Sequence, residues 1–129
     1  MAREAVVRAS ALVPTAIATS SGRASVEDVL DRLDLRGVFA DIVCAEDYER
    51  SKPDPQCYLL AAERLSVPPR DCLVFEDSDP GMQAARAAGM KGIAITHGST
   101  DTTAATGIAD LAIRDYSQLD PGFFAAITR

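Results

Sequence analysis

Cys72-Leu73-Val74-Phe75-Glu76-Asp77-Ser78-Asp79-Pro80-Gly81 is the stretch whose reading decides the fold. Its first four residues form a short continuous apolar run, the pattern of a strand buried on both faces. Two carboxylates, Glu76 and Asp77, stand where that strand ends. Asp79-Pro80 then reads as a helix N-cap followed by proline at N1, where a missing N–H costs nothing. Gly81, Ala84, Ala85 and Ala88 follow as a small-residue face, which lets a helix lie close to a sheet, and Gly89 supplies the stop.

The same unit repeats outward in both directions. Downstream, Gly92 to Ile95 and Leu111 to Ile113 are strand candidates, and Asp120-Pro121 opens a last helix containing Phe123, Phe124 and Ile127. Upstream, Asp54-Pro55 is another cap-then-proline start, backed by Tyr58, Ala61, Ala62 and Leu65 on one face, and Pro68-Pro69 ends the unit. Ile42 to Ala45 is a further strand. Ser25 reads as an N-cap with Asp28 at N3, before Val26, Val29, Leu30 and Leu33 on one helical face. Ala16-Ile17-Ala18 is the first strand, and Met1 to Val13 has helical spacing. Strands and helices that alternate in this way predict an α/β fold, a parallel sheet with helices on both faces and right-handed crossovers. No repeat or linker divides the chain, so residues 1–129 read as one domain.

Composition narrows the function. Apolar residues at 47% exclude a disordered chain. A net charge of -6 argues against nucleic-acid binding, which needs a cationic surface. No apolar stretch reaches membrane-spanning length and no secretory signal is evident. Cys44, Cys57 and Cys72 make no C-x-x-C pair and lie in apolar surroundings, as buried thiols in a reducing, cytoplasmic setting would.

In a doubly wound sheet, ligands bind beyond the carboxyl ends of the strands. Thr19-Ser20-Ser21-Gly22 follows the first strand, Ser51-Lys52-Pro53-Asp54-Pro55 the second, Glu76-Asp77-Ser78 the third and Thr96-His97-Gly98 the fourth. Thr19 offers a hydroxyl, and the backbone N–H groups after it can face an anion. Lys52 supplies a point charge. Glu76 and Asp77 repel each other and so favour a divalent cation such as Mg²⁺. Each group also has a plainer reading: a turn, a solvated lysine, an acidic helix start. Their common place at strand ends is what joins them.

Together these stretches resemble the haloacid dehalogenase-like (HAD) superfamily, in its β-phosphoglucomutase-like sugar phosphatase branch. Ala16-Ile17-Ala18-Thr19-Ser20-Ser21 is similar to that family's second motif, Ser51-Lys52-Pro53 to its third, and Val74-Phe75-Glu76-Asp77-Ser78 through Ala88-Gly89-Met90 to its fourth. The resemblance implies a HAD-like Rossmannoid fold. It implies that Thr19 and Ser20 bind the transferring phosphoryl group, that Lys52 neutralises its charge, and that Glu76 and Asp77 hold Mg²⁺. The substrate class it implies is a phosphorylated small molecule.

The first motif of the family, a strand ending in Asp-x-Asp-Gly, has no counterpart. The residues before Thr19 contain no aspartate. Asp77-Ser78-Asp79 has the Asp-x-Asp form, but Glu76, the helix after Gly81 and its place after Lys52-Pro53 all fit the fourth motif. The sheet is therefore expected to lack its central, nucleophile-bearing strand, and the chain to lack a cap domain. Phosphoryl transfer should fail in this chain alone, Mg²⁺ binding should be weak, and the open sheet should favour self-association. A non-catalytic phosphate- or metal-binding module, or an interaction module using that open sheet, is the alternative. His97, the sole histidine, is expected to be a loop residue rather than a base.

Overall fold

Every apolar run expected to be a strand becomes one. The computed structural model describes residues 2–96 and 109–115. Along them run α1 (Ala2–Leu12), β1 (Ala16–Ala18), α2 (Arg23–Arg32), β2 (Asp41–Val43), α3 (Gln56–Leu65), β3 (Leu73–Glu76), α4 (Asp79–Ala87), β4 (Lys91–Ile95) and β5 (Leu111–Ile113). Two short 3-10 turns, Ala45–Asp47 and Pro69–Asp71, precede α3 and β3. His97 and the helix expected from Asp120 lie outside the described residues.

All strand pairs are parallel, as alternating strands and helices require. They form two sheets, however, rather than one. In the first, β1 pairs with β2, Ala16 opposite Asp41 and Ala18 opposite Val43. In the second, β4 lies between β3 and β5, with Glu76 opposite Ala94 and Ile95 opposite Ile113. Among the described residues no strand is hydrogen-bonded between β1 and β3.

A shared helical layer holds the two sheets together. Cys57, Tyr58, Ala61 and Ala62 of α3 and Ala84, Ala85 and Ala88 of α4 form one buried cluster with Val43 of β2 and Val74 of β3. Ala16 and Ala18 of β1 pack against it. The alanines expected to face the sheet, Ala84, Ala85 and Ala88, are buried, and Gly92 of β4 makes room for Met82 beside them, since an added Cβ there would lie 2.2 Å from Met82 Sδ. On the other face of the larger sheet, Ala5 of α1 packs with Ile93, Ile95 and Ile113. Leu73 and Phe75 turn to that side while Val74 turns to the other, the period of two of a strand.

Two helix starts and one strand end differ from the sequence reading. Helix α2 begins at Arg23 with Gly22 as N-cap, not at Ser25, because the Glu46 carboxylate accepts the Arg23 N–H at 3.0 Å to each oxygen. Of its expected apolar face only Leu30 is buried; Val29 and Leu33 are 51% and 46% exposed. β2 stops at Val43, because Asp47 accepts the Cys44 N–H at 2.8 Å and turns the chain. Ser78, not Asp79, caps α4, its hydroxyl accepting from Gly81 N–H at 3.2 Å. Asp54 caps α3 as expected, accepting the Gln56 N–H at 2.9 Å. Ser66, at φ 57°, ends that helix before the two prolines. Cys44 and Cys57 are buried free thiols and Cys72 is a half-buried one.

Candidate active site

The carboxyl ends of β1 and β3 lie on either side of one ammonium group. Lys52 reaches up from the loop before α3, and its Nζ donates to the Ala18 carbonyl at 3.2 Å and to Glu76 Oε2 at 3.2 Å. Ala18 precedes Thr19 and Glu76 precedes Asp77, so the structure brings the loops carrying Thr19, Ser20, Lys52, Glu76 and Asp77 to a single rim. Parallel strands explain this: all their carboxyl ends share that rim.

Each loop is fixed locally. The Thr19 hydroxyl oxygen accepts the Ser21 N–H at 3.1 Å, folding the chain back after β1. Tyr48 O–H donates to the Thr19 carbonyl at 2.9 Å. Thr19 is half-buried, while Ser20 and Asp77 are exposed. The start of α2, where an anion was expected to meet free N–H groups, holds the Glu46 carboxylate instead. Glu46 comes from 23 residues further along, and a cap so distant in sequence leaves no local pattern.

Glu76 is the hub. Its Oε2 accepts from Lys52 and from Tyr58 O–H, the latter at 2.6 Å. Its Oε1 accepts from Asp77 N–H at 3.1 Å, Ser78 N–H at 3.3 Å and Ser78 O–H at 3.1 Å. Gly81 makes room for it, since a Cβ there would lie 2.0 Å from Glu76 Cδ. Burial pushes the Glu76 carboxyl up, but the Tyr58 hydroxyl and the Lys52 ammonium outweigh burial and hold it below the ordinary value. The Tyr58 phenol is driven the other way, by burial first and then by the Glu76 carboxylate, and stays a proton donor.

Sequence reading missed three members of this cluster. Tyr58 was read as core and is core, but its hydroxyl completes the Glu76 carboxylate. A buried tyrosine needs a partner for its O–H, which was the available signal. Ser78 was read as part of the stretch after β3 without a role of its own, and Gly81 as part of the small-residue face of α4. Both shape the site.

Mg²⁺ requires near-octahedral oxygen coordination, usually with waters and one or two carboxylates. Both oxygens of Glu76 are engaged by protein donors, and among the described residues no group of three or more His, Cys, Asp and Glu side chains could hold a metal. The described residues alone do not make a magnesium cage. No described helix is long and apolar enough to cross a membrane.

A family model described as haloacid dehalogenase-like hydrolase matches residues 2–89. The chain is 46% identical over 80 residues to the fructose-1-phosphate phosphatase YqaB of Escherichia coli, covering 62% of this chain and 43% of that protein. It is 40% identical over 90 residues to a phosphorylated carbohydrates phosphatase of Thermotoga maritima, covering 69% and 42%. A crystal structure of a Thermotoga maritima protein assigned to the β-phosphoglucomutases superposes with a TM-score of 0.87 at 33% identity, over 97% of this chain and 58% of that one. The chain thus spans about half the length of the relatives it matches.

Proposed function

The chain belongs to the haloacid dehalogenase-like hydrolase family, and from that premise we propose that it carries the phosphate-holding side of a Mg²⁺-dependent phosphoryl-transfer site. The substrate class is a small phosphorylated metabolite, such as a sugar phosphate. The two phosphatases named above support that class by the substrates in their names.

The observation that carries the reading is the Lys52 ammonium, held between the Ala18 carbonyl and the Glu76 carboxylate. An ammonium has three N–H donors, so one is left for a phosphoryl oxygen. The Thr19 oxygen already accepts from Ser21 N–H, which leaves its own O–H to donate to a second oxygen. Ser20, exposed beside it, adds polar groups for a third. Asp77, exposed at the same rim, would add a second carboxylate toward a metal, with Glu76 behind it. Bound Mg²⁺ would neutralise charge on the phosphoryl group; these side chains orient it.

What is missing is an acceptor. No aspartate precedes Thr19 in this chain, and β1 and β3 belong to separate sheets. Both facts support a site whose central strand and nucleophile are not supplied by these residues. The chain alone therefore holds phosphate without transferring it, binds Mg²⁺ weakly, and self-associates through the edges of β1 and β3. The test is calorimetric titration with inorganic phosphate. The wild type should bind and Lys52→Ala should lose most of that affinity; a wild type that binds no phosphate contradicts the reading. A Mg²⁺ dissociation constant on the order of a micromolar or below would contradict the partial metal site.

A further inference from the structure

Tyr58 lies outside the set of residues that the phosphate reading calls on, yet it touches both charged groups at its centre. The residue sits in the first turns of α3 and is 6% exposed. Its hydroxyl donates to Glu76 Oε2, the same oxygen that accepts from Lys52. Its ring lies beneath the Lys52 ammonium, with Nζ 4.8 Å from the ring centroid. One side chain thus contacts the cation through its face and the anion through its edge group.

The donor count shows what this does. Lys52 donates to the Ala18 carbonyl and to Glu76 Oε2. With Tyr58 present, Oε2 has two donors and Oε1 three, so the carboxylate has no need of a second ammonium proton. Remove the hydroxyl, and Oε2 has a lone pair open to that proton. The ammonium then settles further onto Glu76, and the donor meant for a ligand turns inward. The ring opposes the same collapse, because the attraction of a cation to the face of a tyrosine fixes the distance from the other side.

We propose that Tyr58 is a positioning residue of the phosphate site, holding the Lys52 ammonium between its ring and Glu76 so that one N–H stays available to an anion. This rests on the phosphate reading above. The reasons are the hydroxyl at 2.6 Å from Glu76, the ring at 4.8 Å from Lys52, and the burial that gives both contacts a dry setting.

Two variants separate the two contacts. Tyr58→Phe keeps the ring and removes the hydroxyl; Tyr58→Leu removes both. The first readout is the proton NMR position of the Lys52 ε-methylene, which a ring beneath the ammonium shifts upfield. The second is the affinity for inorganic phosphate. Tyr58→Phe should retain a shifted signal at a changed position and bind phosphate roughly tenfold more weakly, the scale of one hydrogen bond to a charged group. Tyr58→Leu should lose the shift and several-fold more affinity. A purely structural tyrosine would lower the unfolding temperature while leaving the phosphate affinity of the folded variants unmoved, and that result overturns the proposal. So does a wild-type Lys52 signal at its unfolded position. Should Tyr58→Leu fail to fold, Tyr58→Phe decides by itself. If the wild type binds no phosphate, the functional reading fails, and the Lys52 signal still decides the role of Tyr58.

Discussion

Strands β4 and β1 are both short, apolar and parallel to their neighbours, but they are buried to different degrees. Gly92, Ile93, Ala94 and Ile95 of β4 are buried throughout; Ala16, Ile17 and Ala18 of β1 are each only half-buried. Ala-Ile-Ala and Gly-Ile-Ala-Ile do not differ enough in hydrophobicity to explain this. Neighbours do: β4 has β3 on one side and β5 on the other, whereas among the described residues β1 has β2 alone. The rim above them does not share the division. Lys52 joins Ala18 of the smaller sheet to Glu76 of the larger one. The polar site is therefore assembled across a sheet whose backbone pairing is split beneath it.

The sharpest way to break this comparison is to place the same charge in both strands. Ala94→Asp puts a carboxylate at a position 2% exposed, and an uncompensated buried charge costs about 3–5 kcal/mol. Ile17→Asp puts it in a strand that is half-buried, and the loss should be under about 2 kcal/mol. Urea unfolding of both variants measures the difference. Equal losses would mean that β1 is as enclosed as β4.

Glycines give a second pair, one in each part. Gly81→Ala drives a Cβ to within 2.0 Å of Glu76 Cδ; the carboxylate must move, at a cost of about 1–3 kcal/mol, and phosphate affinity should fall with it. At Gly22 an added Cβ meets only the Glu46 oxygens, at 3.7 and 3.8 Å. Gly22→Ala should cost under about 1 kcal/mol, the scale of a changed N-cap. Denaturation curves for both, with the phosphate titration alongside, check the ranking.

The smallest effect belongs to the smaller sheet and to acid. The Cys44 backbone N–H, and then the Arg23 guanidinium at 2.7 Å, hold the Asp47 carboxyl below its ordinary value of 3.8 against the opposing effect of burial. A carboxyl with a depressed folded pKa stabilises above its unfolded value. That contribution fades as the pH falls through the folded value. Asp47→Asn should therefore lie below the wild type in stability at pH 6, and the two should converge below pH 3.8. Thermal unfolding across that range tests it; a constant gap would remove the charge from the explanation.

How far the sequence could be read follows the range of the interactions. Continuous apolar runs such as Leu73 to Phe75 and the alanine face of α4 depend on near neighbours, and they were legible. So was the meeting of Thr19, Lys52, Glu76 and Asp77, because parallel strands put every following loop on one side. The start of α2 was not legible, because its cap is Glu46, supplied from across the β1–β2 pair. Tyr58 was hidden in an apolar face, and Gly81 in a run of small residues; their partner, Glu76, is 18 residues from Tyr58 and reaches it only through the packing of α3 beside β3. The sequence was read as one parallel sheet lacking its central strand; the division of the described strands into two sheets was not foreseen, and the strands themselves carry no sign of it.

A turnover assay on the 129-residue chain, with a generic phosphate ester and Mg²⁺, tests most directly that phosphate is held here without an acceptor. The account predicts no hydrolysis above the uncatalysed rate, with the ester competing against inorganic phosphate for binding in wild type and not in Lys52→Ala. Metal-dependent hydrolysis by a stable monomer, abolished by Asp77→Ala or by Asp79→Ala, would contradict it and would make Asp77-Ser78-Asp79 the nucleophile-bearing stretch.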